Sequence, residues 1–313
     1  MINSKKMRLT MFAASMVAAG ALTGCFNDKS SDPSSTSFGG GASLGALVGA
    51  TCNVSDSAPR ALSVYTTDAN GEGTVSFTGS ATYPIFISCS GGNFFDEANP
   101  TGGANGDGFR PNDGTLRSII PDAASLATAQ ANGGKVAVTT LTSMAAAVYD
   151  SLPAAKKNPA AAKESITNVV TAVYPGLLAN GGIANVLKAP TVVKSAATTL
   201  NGTEGKYAAV LAGLAQIAKD QNKSPSQLAT ELASAAVARS IPATVVDNIV
   251  AKTNTYASSQ GGDAGTTTAP ANNPQPTGTV AEPTGDESNP SDPGTPTGGT
   301  GGTGGTGGSG GTV

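Results

Sequence analysis

Val48-Gly49-Ala50-Thr51-Cys52-Asn53-Val54 and Tyr83-Pro84-Ile85-Phe86-Ile87-Ser88-Cys89 decide the architecture. In the first stretch Val48, Ala50, Cys52 and Val54 recur at every second position, and in the second Ile85, Ile87 and Cys89 do the same. Successive side chains of a strand point to opposite faces, so this period places each cysteine on the apolar face of its own strand. Ala46–Val54 and Tyr83–Cys89 are therefore strands whose thiols point into a core. Leu62–Thr66, Thr74–Thr78, Thr115–Ile120 and Lys135–Thr139 supply further strands, separated by turns such as Asp68-Ala69-Asn70-Gly71-Glu72-Gly73. Short strands between Gly, Asn and Asp turns predict a β-sandwich over residues 42–140. Within it, the Gly- and Asn-rich stretch 99–114 reads as a surface loop and Asp122–Ala131 as a short helix.

From Leu141 the period becomes helical. Leu141, Met144, Ala145 and Val148 share one face, and Asn158-Pro159 reads as an N-cap followed by Pro at the first helical position. Tyr207, Val210, Leu211, Leu214, Ile217 and Ala218 follow helical spacing between Thr203 and Asn222. Ser224-Pro225-Ser226-Gln227 is a capping box, and Pro242 opens a last helix. An Ala-rich α-helical module is thus expected over 141–257. Residues 25–41 are Ser, Asp, Pro and Gly without periodicity and read as a flexible tether. Residues 258–313, ending in Gly-Thr triplets, read as a disordered tail. The expected fold class is α+β: a sandwich followed by helices, between a tether and a tail.

The first 24 residues have Lys5, Lys6 and Arg8 ahead of an apolar run from Leu9 to Leu22, then small residues, the pattern of a secretory signal peptide. Leu22-Thr23-Gly24-Cys25 resembles the lipobox of bacterial lipoproteins. That resemblance implies cleavage before Cys25, its lipidation, and membrane attachment through acyl chains; an ordinary signal peptide with a chance cysteine is the other reading. Phe26 and Asn27 follow Cys25 where such lipoproteins often carry Asp for inner-membrane retention, which implies an outer-membrane lipoprotein of the cell envelope, with surface exposure left open. In an exported chain the remaining pair, Cys52 and Cys89, reads as one disulfide, worth about 3 kcal/mol for a loop of intermediate length. Two buried free thiols are the alternative.

Residues 47–98 resemble the carboxypeptidase-regulatory, or transthyretin-like, β-sandwich of bacterial surface proteins. The likeness lies in Gly49-Ala50-Thr51-Cys52, in Thr66-Thr67-Asp68-Ala69-Asn70-Gly71-Glu72-Gly73 before Val75-Ser76-Phe77, and in Tyr83-Pro84-Ile85. The resemblance implies a Greek-key sandwich. Ser90-Gly91-Gly92-Asn93-Phe94-Phe95-Asp96-Glu97-Ala98, Leu116–Pro121, Val138–Ala145 and Ala212–Ala218 are similar to segments of large exported bacterial proteins, which implies an envelope or surface component. The cysteine pair departs from the family, standing where apolar residues are expected.

Composition narrows the chemistry. The chain has no His, which removes the usual general base and the commonest metal ligand. Beyond residue 24 it carries 15 basic and 21 acidic side chains, a formal charge of −6, with no basic patch, so nucleic acid is not an expected partner. No cofactor is indicated. Asp68, Asn70 and Glu72 resemble the start of a calcium loop, but the twelfth position from Asp68 is Gly79, so a hairpin turn is the stronger reading. Asp96 and Glu97 could bind a cation or act as acids, with Asp107 and Asp113 near in sequence but on a Gly-rich loop. Ser90 lacks the nucleophile-elbow pattern, and Lys135, Lys163 and Lys206 lack a serine at catalytic spacing. Tyr83, Phe86, Phe94 and Phe95 could form a sugar platform or serve as sandwich core. The expected role is non-catalytic: a lipid-anchored envelope protein acting in adhesion, surface-layer, fibre or complex assembly, with a protein partner or self-assembly. Carbohydrate or peptide binding is the alternative.

Overall fold

The computed structural model describes residues 35–103, 105–195, 198–260 and 276–285. The signal segment, Cys25, the start of the expected tether and most of the expected tail lie outside the described residues. The strands are β1 (Ser35–Ser43), β2 (Leu47–Val48), β3 (Thr51–Asp56), β4 (Ala61–Thr66) and β5 (Glu72–Thr78). They are followed by β6 (Ile85–Ser90), β7 (Asn93–Phe95), β8 (Phe109–Pro111), β9 (Thr115–Ile120) and β10 (Val136–Thr139). The helices are α1 (Ala123–Gln130), α2 (Thr140–Asp150), α3 (Pro159–Val173), α4 (Ala184–Leu187), α5 (Gly202–Asp220), α6 (Pro225–Val237) and α7 (Ala243–Ser259). The α+β class read from the periodicities is the class of the fold.

Seven strands form one sheet in the order β4-β3-β6-β9-β10-β1-β5, and β2-β7-β8 form a second. The larger sheet is antiparallel except where β1 runs parallel to β10, with Gly40 opposite Val136. It curls until its two edges face each other, and the Ser76 N–H reaches the Ser63 hydroxyl at 3.4 Å, giving a near-barrel. The alternation read from the sequence holds. Cys52, Val54, Ile85, Ile87 and Cys89 are all buried, and Cys52 lies opposite Cys89 in register and is bonded to it.

Four expectations need correction. Residues 35–41, expected to belong to the tether, form most of β1 between β10 and β5. The reason is Tyr65, which reaches across the barrel interior from β4. A Cβ on Gly40 would stand 2.4 Å from its hydroxyl oxygen, and one on Gly73 would stand 2.2 Å from its ring. Only hydrogen at both positions leaves room for the phenol, whose burial pushes its pKa up.

Ala46–Val54, expected to be one strand, is split at Gly49. That residue takes φ 71°, and the chain passes there from the small sheet (β2) into the large one (β3).

The third correction concerns the tail. Residues 276–285 pack as a strap on the helices. The Gly278 N–H donates to Ala172 O at 3.0 Å and the Ile241 N–H to Gly278 O at 2.7 Å, while Val280 is buried. Glu164, itself buried, accepts from the Thr284 and Gly285 N–H groups and from the Thr284 hydroxyl.

The helices do not form a module apart from the strands. A continuous core runs from Val54 and Ile87 in the sheet through α2 to Ile166, Leu214 and Ile249. Helix α2 lies at its centre: Leu141, Met144, Ala145, Ala146 and Val148 are fully buried. Ala and Gly faces permit this close approach; at Gly213 a Cβ would meet the Thr253 backbone N at 2.9 Å, so α5 and α7 touch almost main chain to main chain. The helix starts follow the sequence reading. Asn158 caps α3 with Pro159 at its first position, and Ser224 and Gln227 form the capping box of α6.

Candidate functional site

A cleft of about 1190 Å³ opens where the small sheet meets the turn between α5 and α6. One wall is β7, the 99–107 loop and β8; the other is Lys219 and residues 222–225. Register builds the first wall. Phe94 pairs with Arg110 and Phe95 with Phe109, so Phe94 and Phe95 lie on opposite faces of a short hairpin. Phe95 turns into a small core with Ala208, Ala209 and Ala257, and meets the Phe109 ring edge-on at 5.6 Å between centroids. Phe94 belongs to the main core, with Phe109 partly open beside it at the cleft.

The two walls are tied together. The Lys219 ammonium donates to Ala98 O at 2.6 Å. The Ser224 hydroxyl donates to Asp113 at 3.0 Å, and the Ser226 hydroxyl donates to the same oxygen. Across the floor the Arg110 Nε stands 2.7 Å from Asp96 Oδ2 as an ion pair, although its N–H is poorly aligned for a hydrogen bond. Lys223 is occupied by Glu231, and Asp107 accepts from the Phe109 N–H at 3.0 Å. The charged groups of the cleft are thus satisfied by the protein itself. The carboxamides of Asn93, Asn99, Asn105 and Asn222 line it, and among the described residues none of the four has a hydrogen-bond partner.

Glu97, next to Asp96, turns away from the cleft. It is buried, its Oε2 lacks a partner, and burial, reinforced by the Asp96 charge, holds its carboxyl well above the usual range. The same burial, with the Glu97 charge adding to it, pushes Tyr256 up.

The structure separates the residues singled out as a calcium or sugar site. Asp68 accepts from the Asn70 N–H at 2.8 Å and the Glu72 N–H at 3.0 Å, and these bonds, Glu72 first, hold its carboxyl below the usual range. Asn70 accepts from Lys194 at 2.7 Å, and Glu72 pairs with Lys135 at 2.6 Å. Their oxygens already face N–H donors and ammonium groups, which is the arrangement of a turn. Tyr83 is half-buried against the main core just before β6, apart from the cleft. Phe86 packs against Tyr149 with ring centroids 5.9 Å apart and planes tilted by 46°, beside a second, smaller concavity of about 680 Å³ that holds the Arg117–Asp150 ion pair. Asp96 lies in the cleft, but Asp107 joins it without a shared partner, and Asp113 is spent on Ser224 and Ser226. Sequence reasoning missed the asparagines. Their density over 93–112 was the available signal, and Asn222 entered only through the tertiary approach of the α5–α6 turn.

The hydroxyl and ammonium groups along the cleft are already engaged within the protein. Ser224 is committed to capping α6 and to Asp113, and Lys219 and Lys223 at the rim are engaged by Ala98 O and Glu231. No helix among the described residues is long and apolar enough to cross a membrane. Comparison with protein-family models, curated proteins and solved structures finds no match for this chain.

Proposed function

We propose that this chain is a lipid-anchored cell-envelope protein, attached through Cys25, whose folded part acts by contact with a partner and carries out no reaction. The observation that carries this conclusion is the cleft itself. It is rigidly tied, its charges are spent internally, and it offers unpartnered hydrogen-bonding groups without an activated nucleophile. The sequence adds the address: basic residues, an apolar run, then Leu22-Thr23-Gly24-Cys25, the outer membrane being the expected site. The transthyretin-like relation belongs to the same proposal. The antiparallel block β4-β3-β6-β9 supports it, and the parallel β1–β10 pair is a departure from it.

Expression of the full chain in a bacterial host with an alkyne-tagged palmitate tests the anchor. The wild type should take up label and sediment with membranes, and Cys25→Ala should do neither. Labelled protein lacking the Cys25 attachment, or an unlabelled wild type, would overturn the proposal. In-cell photo-crosslinking from residue 222 tests contact: a discrete adduct is expected, and its absence under conditions where a control envelope protein cross-links would count against an interaction role.

A further inference from the structure

We propose that the cleft between β7, the 99–107 loop and the α5–α6 turn is a binding site for a neutral oligosaccharide. The inference rests on the contact reading above and names the chemical class of the partner. A carboxamide offers an acceptor and two donors in one plane, which matches the alternating donor and acceptor roles of neighbouring sugar hydroxyls. Asn93, Asn99, Asn105 and Asn222 present four such groups to one space, from a strand start, a loop and a helix end, and none has a partner in the protein among the described residues. Asn222 is held in the left-handed region at φ 55°, just beyond the end of α5. The Phe109 ring beside them supplies an apolar surface for the C–H face of a pyranose.

Charge separates neutral from acidic sugars. A carboxylated or sulfated ligand needs a free cation to offset its desolvation. Here Arg110 is paired with Asp96, Lys219 is bound to Ala98 O, and Lys223 is bound to Glu231. Backbone pairing disfavours a peptide. The exposed edge of the small sheet is β8, only three residues long and ending in Pro111, which has no N–H to donate. The volume of about 1190 Å³ exceeds the usual range for a small-ligand site, and suits several rings better than one.

The test is calorimetric titration of the purified full chain with maltohexaose, cellohexaose and chitotetraose, beside oligogalacturonate and an unstructured peptide. At least one neutral sugar should bind, more tightly than the acidic sugar and the peptide. Asn93→Ala/Asn222→Gly should weaken that binding by about tenfold or more with Tm little changed, since neither side chain bonds to the protein and glycine accepts the left-handed φ of residue 222. Asn53→Ala, in the second concavity, should leave it unchanged. If the peptide or oligogalacturonate binds instead, and Asn93→Ala/Asn222→Gly weakens it, the neutral-sugar assignment falls while the contact reading stands. Sugar binding indifferent to the double variant places the site elsewhere and overturns the proposal. If no probe binds, the sugar assignment also falls, and the cross-linking from residue 222 decides separately whether the contact reading falls with it.

Discussion

Reducing the Cys52–Cys89 bond should cost this protein about 4 kcal/mol of stability, more than the ~3 kcal/mol expected for a loop of intermediate length, because the loop it closes is long. The two cysteines are 37 residues apart, and closing a loop of that size in the unfolded chain removes about 13 cal/mol/K, which is close to 4 kcal/mol at room temperature. Reduction removes the cross-link without deleting side-chain volume from the fully buried positions 52 and 89 on β3 and β6. Replacing both residues by alanine should cost more, since it also empties volume from the core. The order of stability is then oxidised, reduced, Cys52→Ala/Cys89→Ala. Urea titration followed by far-ultraviolet circular dichroism measures all three. The reduced chain should also show a steeper dependence on urea, because its unfolded state is free to expand. Peptide mapping should find Cys52 and Cys89 joined in the oxidised sample. A difference below about 1 kcal/mol between the oxidised and reduced chains would refute the entropic account, and free thiols at both positions would refute the pairing.

Gly73→Ala should destabilise by about 1–3 kcal/mol, because its Cβ would overlap the Tyr65 ring, and Tyr65→Leu in the same chain should recover part of that loss in a double-mutant cycle by urea titration. Glu97→Gln tests the buried carboxyl. Its pKa is raised in the folded state, so its contribution is intact below the unfolded value near 4.5 and is lost as pH climbs through the folded pKa. The variant should therefore match the wild type near pH 4 and exceed it at pH 8, by on the order of 1 kcal/mol, in thermal melts; equal melting temperatures at both pH values would contradict the placement of Glu97. Glu164→Ala removes the acceptor of the Thr284 and Gly285 N–H groups and should raise amide hydrogen exchange across 278–285, with little change in the sheet.

What was legible in the sequence follows the range of each signal. Period-two alternation exposed the inward faces of β3 and β6, and capping chemistry marked the starts of α3 and α6, because both are local to a few residues. The cleft was not legible in the same way. Its walls are joined by Lys219 to Ala98 and Ser224 to Asp113, contacts spanning 121 and 111 residues, and no local pattern announces which loop a helix end will meet. The aromatic run around Phe94 and Phe95 looked like a platform because adjacent residues seem close. In a strand they face opposite ways, and both rings went into cores.

The two low-complexity corrections share one cause. Composition treats glycine and threonine as the absence of packing, yet a residue without a Cβ is also what a neighbouring ring requires at its closest approach. Ser35–Ser43 has few apolar residues, and it is the arrival of Tyr65 from β4 that gives Gly40 a place in the barrel. In the strap, Val280 supplies the buried apolar side chain, and main-chain bonds to Ala172, Arg239 and Glu164 supply most of the rest. Each segment is held by its partner's side chain or backbone more than by its own side chains. Displacing Tyr65 from Gly40 by enlarging Gly73, or removing Glu164 from the strap, therefore tests the same principle in the two segments: order in a glycine- or threonine-rich run is a property of what it meets.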